Sequence, residues 1–144
     1  MIINKTTGAI YLPESILITA EMTRLDFEAS SLGKISKLFV KNEPWKSFYL
    51  PIIVLADKML GAMIFFEWNR LTRVNIAFNL DLNATTLADL SYENEMANKK
   101  YHDALLEENL GQPSYVFSWG KVASVYDERS EGSKIIITHA AERQ

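Results

Sequence analysis

Residues 60–80 constrain the fold of this chain more than any other stretch. Leu60-Gly61-Ala62-Met63-Ile64-Phe65-Phe66-Glu67-Trp68 leads through Asn69-Arg70 into a run over 71–80. In that run Val74, Ile76 and Phe78 alternate with Arg73, Asn75, Ala77 and Asn79. Successive side chains of a strand point to opposite faces, so the spacing puts the large apolar residues on one face and the polar or small ones on the other. Two strands joined by so short a turn pair antiparallel. The expectation is a sheet with its apolar side facing a core.

The flanks extend this pattern. Residues 8–12 and 15–19 read as short strands, with Pro13 limiting the first or placing it at an edge. Thr23, followed three residues later by Asp26, resembles an N-cap with an acid in the first turn, opening a helix through Ala29 that Ser30, Ser31 and Gly33 end. Ile35, Leu38 and Val40 mix with Ser36, Lys37 and Lys41 as a strand running to the Asn42-Glu43-Pro44 turn. Residues 47–55 read as a strand near the sheet centre, and Pro51 belongs at a bulge or edge because it cannot donate to a ladder.

Residues 81–86 form a composition break, read as a connection within one domain. Helical spacing follows from Tyr92 to Leu105, with a start near Ser91, Asn94 where a glutamate would complete a capping box, and a stop at Gly111-Gln112-Pro113. Met96, Ala97, Tyr101, Ala104 and Leu105 are its expected buried stripe. Residues 114–119, 121–126 and 134–139 are three further short strands. The fold class is α+β, a mostly antiparallel sheet carrying one principal helix in a single domain over 1–144. A helical segment followed by strands occurs twice, so the order also allows a tandem helix-plus-meander arrangement with sub-modules 1–80 and 81–144.

With 144 residues, 48% of them apolar, the chain has the material for a substantial core. It has no cysteine, which removes disulfides, thiolate metal sites and cysteine nucleophiles and suits a reducing compartment. Met1-Ile2-Ile3-Asn4-Lys5 lacks the pattern of a secretory signal, and Asp57 and Lys58 interrupt the apolar run before it could span a bilayer. A cytoplasmic protein with no membrane segment is expected.

No motif specifies a reaction. The chain has no G-x-S-x-G elbow, no Gly-rich phosphate loop and no H-E-x-x-H run, and its histidines, His102 and His139, lie in different elements. His102 has Asp103 and Glu107 nearby, but at spacings that suit neither a metal site nor a helix-face pair. Both histidines are therefore read as structural or solvent-facing, no catalytic, cofactor or metal residue is assigned, and the protein is not expected to be an enzyme.

Aromatic and arginine side chains are the types that anchor protein interfaces. Trp119, Tyr126 and Arg129 are the leading interface candidates, against the alternative that Trp119 packs in a hairpin core; Trp45, Trp68, Tyr92 and Tyr115 follow. Glu107 and Glu108 close a stretch, from Asp89, of six acids against two lysines; it is either a solvated helix face or a surface for a basic partner. Lys34, Lys37, Lys41, Lys46, Arg70 and Arg73, interleaved with Phe39, Trp45 and Phe48, outline a nucleic-acid platform, but the net charge of −3 and the use of lysine on sheet edges argue against it.

The run Asn109-Leu110-Gly111-Gln112-Pro113, then Tyr115-Val116-Phe117-Ser118-Trp119-Gly120 and Val125-Tyr126-Asp127, resembles small uncharacterised bacterial proteins built from a helix, an L-G-x-P corner, a strand ending in tryptophan and a return hairpin. The plan is distantly similar to the helix-plus-meander modules of the outer-membrane assembly lipoproteins and the β-lactamase inhibitor proteins. The lipidated cysteine of the former and the disulfides of the latter are missing here. The resemblance implies a cysteine-free intracellular binding module that meets its partner protein through a concave sheet face and loops. The functional expectation is therefore a protein-binding module, in particular a bacterial immunity protein neutralising a basic toxin. The competing expectation is a small-molecule-binding protein or small enzyme with its pocket between helix and sheet.

Overall fold

The computed structural model describes residues 1–80, 92–127, 129 and 132–140. The chain opens with β1 (Ile2–Ile3), β2 (Ile10–Leu12) and β3 (Ile16–Ile18), which form a three-stranded antiparallel sheet. Two short helices follow, α1 (Arg24–Ala29) and α2 (Ser31–Ile35). Thr23 caps α1 as expected, its hydroxyl accepting from the Asp26 N–H. Ser30 does not simply end that helix: its hydroxyl accepts from the Gly33 N–H and starts α2, a turn absent from the sequence reading.

The first meander comprises β4 (Lys37–Asn42), β5 (Trp45–Tyr49), β6 (Ile53–Val54), β7 (Met59–Glu67) and β8 (Arg70–Asn79). After the long helix α3 (Tyr92–Leu110) the second comprises β9 (Tyr115–Phe117), β10 (Gly120–Asp127) and β11 (Gly132–His139). Both meanders join one antiparallel sheet in the order β4-β5-β7-β8-β11-β10-β9, with β6 also paired to β7. The molecule is thus α+β, with one principal helix on a large antiparallel sheet, and the order of helix then meander occurs twice. The last strands of the two meanders meet at the centre, Ile135 opposite Ile76 and Thr138 opposite Arg73.

Pro51 sits where its chemistry requires. β5 and β6 both pair with β7, and Pro51 occupies the gap between them, so its missing N–H interrupts no ladder. The expected alternation in β8 is also present: Val74, Ile76 and Phe78 are buried, as are Leu60, Ala62, Ile64 and Phe66 of β7. Gly111, at φ +84, closes α3 with its N–H on the Glu107 carbonyl, the left-handed C-cap that glycine adopts without strain.

One core underlies the whole sheet and draws on both halves of the chain. Phe27 of α1 meets Phe48 and Phe66 at ring distances of 5.0 and 5.7 Å. Ile3, Ile10, Leu12 and Ile18 cover another part, and Leu106 and Leu110 of α3 the rest. Phe27 of α1, the small sheet and α3 pack on this one face; among the described residues no helix or second sheet packs over the other, at whose margin α2 places Ile35.

The buried stripe of α3 differs from the expected one. Ala97 and Ala104 are exposed and Met96, Tyr101 and Leu105 half-buried, whereas Glu95, Asn98, His102, Leu106 and Leu110 are buried. The helix is rotated by about one residue, 100°, from its apolar reading. The reason lies in the sheet. Continuing the β8–β11 register would bring Phe78 opposite Ser133, but the ladder stops at Ile76–Ile135. The polar side chains of α3 enter there: His102 Nε2 accepts from the Phe78 N–H at 2.9 Å, Asn98 Oδ1 from the Leu80 N–H at 3.0 Å, and Glu95 Oε2 from the Ser133 N–H at 2.6 Å. A buried N–H left unpaired is costly, so the helix docks by the face that satisfies three of them. The Ser91 start and the 81–86 connection lie outside the described residues.

Candidate functional site

Buried His102 and Ser133 invite comparison with a catalytic dyad, because the Ser133 hydroxyl lies 2.9 Å from His102 Nδ1. The protonation pattern excludes it. Nε2 accepts from a backbone N–H, so the ring proton is on Nδ1, which donates to Ser133 and has no lone pair for the serine proton. Burial pushes the imidazole down to about 4, with Lys99 adding to the shift and Asp103 opposing it. The ring is neutral and fully enclosed. His139 is also buried: its Nε2 lies 3.3 Å from the Gly8 carbonyl, to which it donates, and desolvation lowers its pKa. Both histidines are structural. Among the described residues no three His, Asp or Glu side chains are grouped to hold a metal ion, and no helix is long and apolar enough to cross a membrane.

The surface available for binding is the face of the large sheet away from α3. Register assigns to it Trp45 and Tyr49 of β5, with Ser47 buried between them, Gly61, Met63 and Phe65 of β7, Arg73, Asn75 and Ala77 of β8, and Ile136 of β11. Lys37 and Val40 of β4 join them opposite Tyr49 and Ser47, and Lys121 and Ala123 of β10 opposite Thr138 and Ile136. The Arg73 guanidinium lies over the Phe65 ring at 4.1 Å, and the Phe39 ring meets Tyr49 edge-on at 4.9 Å. By register its charges are Lys37, Arg70, Arg73, Lys121 and Lys134 against Glu67 and Asp127.

A depression of about 520 Å³ is sunk into this face where Pro51 parts β5 from β6. Its floor is Gly61 beside Ala77, a cross-strand pair of the two smallest apolar residues, with Met63 and Asn75 next along the strands. Tyr49, Leu50 and Pro51 form a wall, and Ile35 and Ile52, each 68% exposed, stand at the mouth. Lys37 and Lys134 border it from opposite sides. The pocket therefore opens on the face away from α3; the expectation of one between helix and sheet is not how this cavity is placed. Nothing in the local spacing of Gly61, Lys37 and Lys134 announced it, although the mid-strand glycine was a signal.

The interface candidates separate into several places. Trp119 turns inward: its ring stacks on Phe117 at 5.2 Å, its Nε1 donates to the Lys5 carbonyl at 2.9 Å, and Gly8 passes so close that a Cβ there would stand 2.5 Å from the ring. Tyr126 is half-buried and meets Tyr92 edge-on at 6.0 Å, while Arg129 is exposed in the β10–β11 turn with its N–H on Asp127. Trp45 and Trp68 come together at the opposite end of the sheet, 49% and 62% exposed, with the Trp68 N–H donating to the Pro44 carbonyl at 2.7 Å. Trp68 holds φ +53, a conformation bulky residues rarely adopt. Glu107 and Glu108 are exposed on α3, in the other layer, and Glu107 accepts from Gln112.

The basic residues of the nucleic-acid outline are also divided. Lys46 points to the inner layer and pairs with Glu28 of α1 at 2.6 Å, and Arg70 lies 3.6 Å from Glu67. No protein-family model, curated protein or solved structure matches this chain.

Proposed function

We propose that this chain is a protein-binding module that receives its partner on the face of the large sheet away from α3, in the manner of a bacterial immunity protein neutralising a toxin. The observation that carries the reading is a continuous sheet that the described helices and small sheet pack on one side, and whose other side combines Trp45, Tyr49, Met63, Phe65 and Arg73. Tryptophan, tyrosine, phenylalanine, methionine and arginine are the residues enriched at protein interfaces. An uncovered apolar face of this kind marks an interaction site in a folded protein. Its lysines and arginines favour a partner that is apolar at the centre of the contact and acidic around it. A basic partner would instead meet the exposed acids of α3, Glu93, Glu107 and Glu108, in the opposite layer.

Affinity capture from the source cell with three forms of the protein separates these surfaces. The native form should retain a defined protein, Trp45→Glu with Tyr49→Glu should lose it, and Glu107→Lys with Glu108→Lys should keep it. Loss through the helix pair alone would move the interface to α3. Recovery of a tightly held metabolite and no protein would refute the module reading and favour the small-molecule alternative.

A further inference from the structure

We propose that the depression where Pro51 parts β5 from β6 is a binding site for a small uncharged molecule, apolar over most of its surface and carrying one hydroxyl or carboxamide that the side-chain amide of Asn75 holds. This goes beyond a partner protein on the same face and is tested without one.

The floor has the shape of a ligand site. Glycine is a poor residue for the middle of a strand, and here no close approach of the protein to itself requires it: a Cβ at Gly61 would meet nothing within 4 Å. With Ala77 as its cross-strand partner, the missing side chain leaves a hollow in the sheet face. At about 520 Å³ the hollow falls within the range of small-molecule sites, and its walls are almost wholly apolar. Ile35 and Ile52 extend those walls at the mouth, where a bound molecule would take their side chains out of water.

Asn75 supplies the polar contact. Its side chain lines the hollow, and its Oδ1 is closed to solvent with no hydrogen-bond donor. Its cross-strand neighbours on this face, Met63 of β7 and Ile136 of β11, have no side-chain N–H or O–H to give. A buried amide oxygen without a partner is costly and uncommon in a folded protein, and a bound donor removes that cost. An asparagine amide both accepts and donates, and a half-turn about its last side-chain bond exchanges the two groups. A hydroxyl or a carboxamide, which also does both, matches either orientation.

The charges at the border do not select an ionic head. Lys37 on β4 and Lys134 on β11 stand on opposite sides of the floor, about 19 Å apart by the spacing of neighbouring strands. Lys134 has a partner of its own, and Asp127 lies diagonal to it on the same face. The two lysines therefore make no common anion site. An ionised head drawn down to Asn75 would give up water without meeting a counter-charge, a loss that a neutral head largely avoids.

The test is amide NMR of the isotope-labelled full chain titrated with octanol, octanamide, octanoate and octylamine, which share one chain length and differ in the head. Octanol and octanamide should shift the Gly61 and Ala77 backbone signals together with the Asn75 side-chain amide, saturating at a single site. Octanoate and octylamine should bind at least about tenfold more weakly. Asn75→Val should weaken both neutral probes about three- to tenfold, the worth of one hydrogen bond, while melting at or above the native temperature because the orphaned oxygen is gone. An amide with a purely structural role would instead lower the melting temperature and leave the affinity as it was. Gly61→Leu, which fills the floor, should weaken both neutral probes at least tenfold. Either ion binding as tightly as the neutral probes, shifts that miss Gly61 and Asn75, an undiminished affinity in Asn75→Val, or no saturable shift with octanol or octanamide would each overturn the proposal. These outcomes leave the protein-capture result unaffected, so the two readings fail separately.

Discussion

His102 should make this protein lose stability in a defined acid window, and a single substitution should remove that loss. Its imidazole is fully buried between α3 and the parted ends of β8 and β11, and its pKa is pushed down to about 4 from the ordinary value near 6.5. The unfolded chain therefore takes up a proton at this side chain at a higher pH than the native protein. Protonation favours the unfolded state, so the His102 contribution is complete above about pH 6.5, falls as the solution is acidified, and is exhausted below about pH 4. At about 1.4 kcal/mol for each tenfold change in proton affinity, the total is about 3 kcal/mol, lost at a slope approaching 1.4 kcal/mol per pH step. That is a large fraction of the stability of a domain this size. His102→Gln retains an acceptor for the Phe78 N–H and a donor for Ser133 but does not titrate. Urea unfolding followed by tryptophan fluorescence, stepped from about pH 7.5 to about pH 4, should show the native protein losing about 3 kcal/mol more than the variant across the window. His139, also shifted downward by burial, is common to both proteins and cancels in the difference. Parallel pH profiles for the two would refute the argument that the ring is held neutral between the strands.

Three further outcomes follow from the packing. Glu95→Leu strands the buried Ser133 N–H and should cost about 1–3 kcal/mol in urea unfolding, with amide exchange accelerated at Ser133. Leu106→Ala opens a void under the sheet where the native side chain is fully enclosed, and should cost about 2–5 kcal/mol by the same measurement. Gly120→Ala places a Cβ 1.9 Å from the Thr138 carbonyl oxygen at φ +154 and should lower the melting temperature sharply, whereas Gly61→Ala, with open space around it, should raise stability by about 0.5–1 kcal/mol. Equal melting temperatures for the two glycine variants would contradict this account of why each residue is present.

Much of the fold was readable from short-range pattern because those signals are satisfied within a few residues. The alternation of Val74, Ile76 and Phe78, the Thr23 cap, the break at Pro51 and the stop at Gly111 each express a local backbone preference or a single strand's two faces. The site was less legible. Trp45 and Trp68 were named from residue type, and the structure joins them at one end of the sheet; Trp119, named by the same rule, packs inward on a partner 114 residues away.

The amino-acid sequence alone determined the class of the protein, its order of helices and strands, and which side of β8 would turn from water, since these depend on periodicities of two and of 3.6 residues. Tertiary structure decided the rest. The pairing of β8 with β11 made one sheet of the two halves, and the place where that ladder stops selected the polar face of α3 over its apolar one. The hollow required Gly61 and Ala77 to become neighbours across strands and Lys37 and Lys134 to flank them from distant parts of the chain. Such choices are set by unpaired backbone groups and by register, which arise only when segments far apart in the chain are brought against one another.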